Sequence, residues 1–418
     1  DVVTWGTMIA GYARHKNSDE ALKCHERMKF EGVPPDANTF ISSLKACAAI
    51  GDIQKGEEIY SEIIKETLLR ENQSIGAALI DMYAKCGFFK KAHLVLKMLP
   101  ERNAVAWTAL IAGYVQHECW VEALNCFQQM ELEGVTPDVI TWVCVLQACG
   151  SSGDIGKGSE IHATIERKAL LESNLVLGTN LVDMYAKCGM LVKACQVLYK
   201  LSVPDAASWN ALISGYVQYE YNEEALDCSD LMQSQGLSLN HVTFACTLKA
   251  CCNIGDMLRG QEIHAEIARK GVLNSSDFVD NALIDLYAKC SSFAKAKEVF
   301  DMLEVKSTIS WNALISGYVE YAPLNALACF EYMCDGKHCP DAVTFALALK
   351  VCGTVGSISV GRDIYSQVVS VGLQDTTVSN CLISMYTGCG SMSEAQYVFD
   401  TLQDTNVVAW STMIKAYG

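Results

Sequence analysis

Trp209–Val217 reads WNALISGYV, and the same nine residues return at Trp311–Val319. Close variants stand at Trp5–Ala13 (WGTMIAGYA) and Trp107–Val115 (WTALIAGYV), and Trp410 opens a further one, WSTMIKAYG. Trp5, Trp107, Trp209 and Trp311 are 102 residues apart, and Trp410 follows after 99 more. A fixed period of this kind marks an array of small units stacked on one another rather than a few independent globular domains.

Each period carries two more phrases. ALIDMYAKCG occurs at Ala78–Gly87, with relatives at Asn180–Gly189, Ala282–Ser291 and, more loosely, Cys381–Gly390; an L-K-A-C phrase lies between. Aligning them divides a period into units of 35, 36 and 31 residues, at 2–36, 37–72 and 73–103 in the first. The units group as 2–103, 104–205, 206–307 and 308–406, with a truncated unit at 407–418. Within a unit, Leu110, Ile111, Tyr114 and Val115 lie on one face of a helix, and Leu124, Phe127 and Met130 on one face of a second that Gly134 and Pro137 end. Paired helices in about 35 residues predict an all-α fold, a solenoid of helical hairpins. Glycine at Gly11, Gly113, Gly215 and Gly317 costs about 1 kcal/mol inside a helix, so close helix approach is expected there.

Composition narrows the function classes. Half the residues are hydrophobic and 19% charged, which supports a continuous core. Lys and Arg number 32 against 48 Asp and Glu, so a uniformly basic nucleic-acid domain is excluded and any anionic partner must be held by local basic registers. Twenty cysteines are dispersed without a C-x-x-C pair, which fits a reducing compartment and buried thiols rather than a disulfide framework or a metal site. No run of eighteen apolar residues suggests a membrane span. The opening Asp1-Val2-Val3-Thr4-Trp5 resembles neither a signal nor a transit peptide, and because it recurs internally it reads as the interior of a longer array.

Catalytic motifs fail on inspection. H-E-x-x-H and G-x-x-x-x-G-K-[ST] are absent. His264-Ala265-Glu266 has the H-x-E of a zinc deaminase but no P-C-x-x-C follows. Its equivalents one period away are His162, Tyr60 and Tyr365, which marks a packing position. No enzyme activity, cofactor or small-molecule substrate is expected.

Taken together, the 35-36-31 alternation, the SWNALISGY phrase and the MYAKCG phrase resemble the pentatricopeptide repeat family, and more narrowly its plant PLS class with alternating P, L and S units. The tetratricopeptide repeat, the rival for a protein-binding scaffold, has a W-x-x-L-G-x-x-Y pattern not found here. The resemblance implies a right-handed superhelix in a mitochondrion or chloroplast. It also implies a partner, single-stranded RNA, read one nucleotide per unit, in a factor for RNA processing such as cytidine-to-uridine editing that other editing proteins accompany.

By the same resemblance, the fifth and last residues of a unit face the base edge. In the P and S units these pairs are Gly6 and Asp36, Ala77 and Asn103, Thr108 and Asp138, Thr179 and Asp205, Asn210 and Asn240, Asn281 and Ser307, Asn312 and Asp341, and Asn380 and Asn406. All eight last residues are small and polar, which also suits helix N-caps. The family's pairing rules assign guanine to the two Thr–Asp pairs, uracil to Asn312–Asp341, cytosine to Asn281–Ser307, and a pyrimidine to each Asn–Asn pair. The L units carry Ile41, Val143, Ala245 and Ala346 at the fifth position and are expected to be silent, giving G-x-G-Y-x-C-U-x-Y over 104–406. The second residues Val3, Val105, Val176, Ala207, Phe278 and Ile309 are implied to sandwich bases, or else to pack at a helix entry. Lys85, Lys187 and Lys289 are implied to contact phosphate, with a helix C-terminal position as the competing explanation. The register Lys55, Lys157, Arg259 and Arg362 reads as a solvated face.

Overall fold

The computed structural model describes residues 1–65, 68–336, 338–373, 375–402 and 406–417, so that Gly418 of the truncated unit lies outside it. Every regular element among the described residues is a helix, and elements that touch are close neighbours along the chain. The all-α solenoid expected from the hairpin pattern is therefore present. The contacts divide the chain into two bodies, Asp1–Gly215 and Tyr216–Gly418. In the first, the leading helix of each unit packs on that of the next, as Val2–Arg14, Ala37–Ile50, Gln73–Lys85 and Ala104–Gln116 do. In the second, His241–Ile254, Asp277–Lys289, Thr308–Tyr321, Ala342–Val355 and Thr376–Gly388 repeat this.

Unit lengths follow from the trailing helices. Those of P units, such as Trp120–Leu132, have 13 residues, whereas those of S units, such as Leu191–Lys200, have 10, about one turn fewer. The L units gain length from a short extra turn, Leu68–Glu71 and Leu170–Ser173 in the first body. The hairpin of each L unit is set by a glycine at φ near 75°, Gly51, Gly153, Gly255 and Gly356, a conformation costly for other residues.

The recurrent intrahelical glycine has the expected reason. A Cβ on Gly113 would lie 2.3 Å from the Cβ of Ala84, on Gly215 2.7 Å from that of Ala186, and on Gly317 2.2 Å from that of Ala288. Gly11 meets nothing within 4 Å. The alanines belong to the MYAKC phrase, so the two most regular phrases of the sequence touch backbone to backbone. Trp107 and Trp209, on the same helices as Gly113 and Gly215, are buried, and a large apolar side chain so placed contributes on the order of 1.5–3 kcal/mol.

Candidate nucleic-acid interface

All units but one end on a residue whose side chain caps the next unit's leading helix, which satisfies backbone N–H groups otherwise left over at a helix start; the exception is Ser276, which makes no side-chain cap bond. Asp36, Asp138 and Asp341 accept from the backbone N–H of Thr39, Thr141 and Thr344 at 2.7–2.8 Å. Asn103, Asp205, Ser307 and Asn406 cap in the same way. So do the last residues of L units, Asn72, Asn174 and Asp375. Capping alone thus accounts for a small polar residue at this place in all three unit types. It does not set P and S units apart.

What differs is the fifth residue. In the P unit 308–341, Asn312 Nδ2 donates to Asp341 Oδ1 at 3.1 Å, and Thr344 Oγ1 lies 2.7 Å from Asn312 Oδ1 and 2.8 Å from Asp341 Oδ1, with one hydrogen to share between them. Turned over, the amide would set its oxygen against the Asp341 carboxylate, so its nitrogen is held toward the carboxylate. In the P unit 104–138, Thr108 Oγ1 meets Thr141 Oγ1 at 2.6 Å and Asp138 Oδ1 at 3.4 Å. Even at Gly6, a Cβ would face Thr39 Oγ1 at 3.3 Å and Asp36 Oδ1 at 4.0 Å. Asn240 caps His241–Ile254 with Thr243 in the same capping box, and Asn210 is buried.

The S units lack this bridge. Thr179 Oγ1, Asn281 Oδ1 and Asn380 Oδ1 are buried without a hydrogen-bond partner among the described residues. The third residue of the following unit is the reason. It is Ala106, Ser208, Ser310 or Ala409 rather than threonine, and the two serine hydroxyls turn back onto the backbone carbonyls of their caps, Asp205 and Ser307, whereas Thr141 and Thr344 lie between the cap carboxylate and the fifth residue. Ala77, at the first S unit, has nothing to offer.

The threonines at Thr39, Thr141, Thr243 and Thr344 were not among the sequence candidates. They are wholly buried and lie three residues after the capping residue, a spacing readable as a capping box. Their second role, toward a side chain about thirty residues earlier, has no local signature. Burial alone would raise the Asp341 carboxyl, but bonds from the Thr344 backbone, Asn312 and the Thr344 hydroxyl outweigh it and hold the group below its ordinary value.

Around these residues the leading helices form a groove. In the first body it has a volume of about 430 Å³, and its lining includes Ile41, Lys45, Ser74, Ala77, Asp81, Asn103, Val105, Thr108, Asp138 and Ile140. The second-position residues are open to solvent: Val3, Val105, Val176, Phe278 and Ile309 are 55–76% exposed, and Ala207 is exposed too. Packing at a helix entry is therefore not what they do. Ile140, Val242 and Val343 continue the row through L units.

Lys85, Lys187 and Lys289 each end a leading helix and each pair with an aspartate one turn earlier: Asp81 at 2.9 Å, Asp183 at 2.8 Å and Asp285 at 3.1 Å. The other register is a row of ion pairs rather than a freely solvated face: Lys55 on Glu26 and Glu58, Lys157 on Glu131 and Glu160, and Arg259 on Asp230 and Glu262 are half-buried, and only Arg362, on Glu394, is exposed. The acid excess does not lie on the leading helices. These carry Arg14, Lys45, Lys85, Lys187, Lys249, Lys289, Lys350 and Lys415 against Asp81, Asp183, Asp277, Asp280, Asp285 and Glu320.

The PPR repeat family model matches residues 1–49, 102–151 and 204–253, and a second PPR repeat model matches 78–103, 179–202 and 281–307. A putatively named pentatricopeptide repeat-containing protein of Arabidopsis thaliana is 31% identical over 99% of this chain and 75% of its own length. The chain belongs to the pentatricopeptide repeat family. A mitochondrial member from the same plant is 32% identical over the whole chain, which spans 60% of it, and a chloroplastic member is 31% identical with 48% spanned. In several such relatives the chain thus spans about half of the length. Among solved structures, the pentatricopeptide repeat protein PPR10 in complex with an 18-nt psaJ RNA element superposes with a TM-score of 0.68 at 17% identity, covering all of this chain and 66% of that one.

Other polar clusters of this pentatricopeptide repeat chain are structural. His162 Nδ1 meets the hydroxyl of Tyr185 at 2.9 Å, and His264 that of Tyr287 at 2.8 Å. Burial lowers the pKa of both imidazoles, as it suits a neutral packing residue. Burial raises the thiols of Cys86, Cys188, Cys290 and Cys389, and among the described residues no group of three or more metal-ligating side chains assembles. No described helix is long and apolar enough to cross a membrane.

Proposed function

We propose that the chain is a PLS-class array that binds single-stranded RNA, one nucleotide per unit, as the target-recognition part of an organellar RNA-processing factor, with cytidine-to-uridine editing as the process. The observation that carries this is the fixed Asn312–Asp341–Thr344 arrangement opening on the leading-helix face. Its relatives carry mitochondrial and chloroplastic names, and a solved structural neighbour holds RNA, which supports the same reading. Editing proteins are the protein partners it implies, and no catalysis is assigned to these residues.

The chemistry favours uracil at the unit 308–341. Asn312 keeps one Nδ2 hydrogen to donate, and a carboxylate has about four acceptor sites, so Asp341 retains acceptor capacity. Uracil offers a carbonyl oxygen beside a ring N–H, which matches that donor and acceptor. Cytosine turns a bare ring nitrogen toward the carboxylate and is disfavoured. The exposed second-position residues would lie against base faces, an energetically useful and sequence-tolerant contact.

Competition between two RNAs carrying G-x-G-Y-x-C-U-x-Y, one with U and one with G at the base facing this unit, tests the reading. Asn312→Thr should move the preference from uracil toward guanine by about tenfold, since a matched base contact is worth about 1–3 kcal/mol. Equal weakening of both RNAs would show Asn312 to be structural.

A further inference from the structure

One turn beyond the fifth residue, on the same helix face, the ninth positions repeat a pattern. They are Ala10, Lys45 and Asp81 in the first P, L and S units, and Ser214, Lys249 and Asp285 in the third triplet. The aspartate is the one that pairs with the S-unit lysine. Lys249 Nζ lies 3.7 Å from Asp285 Oδ2, and Lys289 Nζ lies 3.1 Å from the same oxygen, so one carboxylate serves two ammonium groups. In the first triplet, Lys45 is exposed and lines the groove together with Asp81, while Lys85 holds Asp81.

The other two triplets vary the parts and so isolate them. In the second, Gln147 replaces the L-unit lysine, leaving Asp183 and Lys187 as a neutral pair. In the fourth, the aspartate and the S-unit lysine are both gone, as Ser384 and Gly388. A Cβ on Gly388 would sit 2.8 Å from the carbonyl oxygen of Gly353, so no side chain fits there. Lys350 remains at the L-unit position, exposed, and forms no ion pair among the described residues. Counting charges at each cluster leaves a surplus of one positive charge in triplets one, three and four, and none in triplet two.

We propose that the L-unit lysines Lys45, Lys249 and Lys350 are phosphodiester-binding residues, and that L units hold the nucleic-acid backbone where they do not read a base. This rests on the RNA reading above and adds to it residues that no unit-by-unit base pairing assigns. The S-unit lysine neutralises the carboxylate where both are present, so the surplus charge comes with the L-unit lysine: Lys45 and Lys350 form no ion pair among the described residues, and Lys249 is the more distant of the two cations on Asp285, at 3.7 Å against 3.1 Å. Its ligand is the phosphodiester of a single-stranded RNA.

The test is the salt dependence of binding by the full 418-residue chain to an oligoribonucleotide carrying G-x-G-Y-x-C-U-x-Y. For single strands, log K against log salt falls by about 0.7 per neutralised phosphate. Lys350→Ala should flatten the slope by about that amount, Lys350→Arg should preserve it, and Gln147→Lys should steepen it by the same amount. Between about 50 and 200 mM salt, each step corresponds to a two- to threefold change in affinity ratio. Gln147→Lys adds a side chain on an exposed position, so a folding defect in Lys350→Ala, seen by far-ultraviolet dichroism, would leave the gain to decide. Slopes unmoved by both substitutions, with RNA still bound, overturn the lysine assignment alone. A chain that binds no RNA overturns the RNA reading, and this assignment with it.

Discussion

P-to-L junctions and S-to-P junctions use the same two positions to different ends. At Asn312–Asp341 a third residue, Thr344, ties the fifth side chain to the cap and leaves nothing to choose. At Asn281–Ser307 the corresponding Ser310 hydroxyl turns onto the backbone carbonyl of Ser307, and Asn281 Oδ1 is buried without a partner among the described residues. The direction of one hydroxyl thus separates a side chain that is organised before any ligand arrives from one that waits for a ligand to satisfy it. The organised site contributes to folding, whereas the waiting site costs about 1–3 kcal/mol until something bonds to it.

The largest expected effect comes from removing the caps. Asp341→Ala should destabilise by about 2 kcal/mol, at the upper end for a lost N-cap because the Asn312 and Thr344 bonds go with it, and should abolish the preference for uracil at that unit. Ser307→Ala should cost about 0.5–1 kcal/mol. Chemical denaturation together with RNA competition would measure both, and equal costs would dissolve the distinction between the junctions.

A smaller but sharper contrast uses one substitution at both sites. Asn312→Leu should destabilise by about 1–2 kcal/mol, since Asp341 and Thr344 lose a partner. Asn281→Leu should be neutral or stabilising by up to about 1 kcal/mol, because the buried oxygen without a partner is removed, while cytosine preference is lost. The same sign at both positions would show that the difference in hydrogen bonding carries no energetic weight.

The least effect is expected from acid. The folded pKa of Asp341 is held below its unfolded value, so its contribution is complete above about pH 4 and is lost only as pH falls through the depressed folded value. Uracil preference at the P unit should therefore be flat between about pH 8 and 5, when followed by RNA competition. A decline near pH 6 would place the controlling group elsewhere.

The fold was legible because its signals are local and repeated. Trp209 and Gly215 share a helix, and Gly215 meets Ala186 of the preceding unit through phrases that each recur at 102 residues. The site was legible in part. Capping residues such as Asp138 announce themselves by residue type, but Thr141 also faces Thr108, and a contact across 33 residues leaves no trace in local spacing. The pairing of Lys85 with Asp81 was within reach, since an i, i+4 pair is a helical commonplace, yet the periodicity of the lysine masked that of its partner. Val105 and Phe278 could not be placed from residue type, because a helix entry accepts an apolar side chain on either side of the surface.

The apolar fifth residues Val143, Ala245 and Ala346 can also be weighed as information. On the proposed reading, units 104–406 name four bases outright and two as pyrimidines, which amounts to about ten bits, or one match per roughly a thousand nucleotides of random sequence. The three unnamed letters are spaced at regular intervals inside the address. A transcript can therefore drift at those positions and remain recognised, and an array of this composition exchanges uniqueness of its target for tolerance of mutation in it.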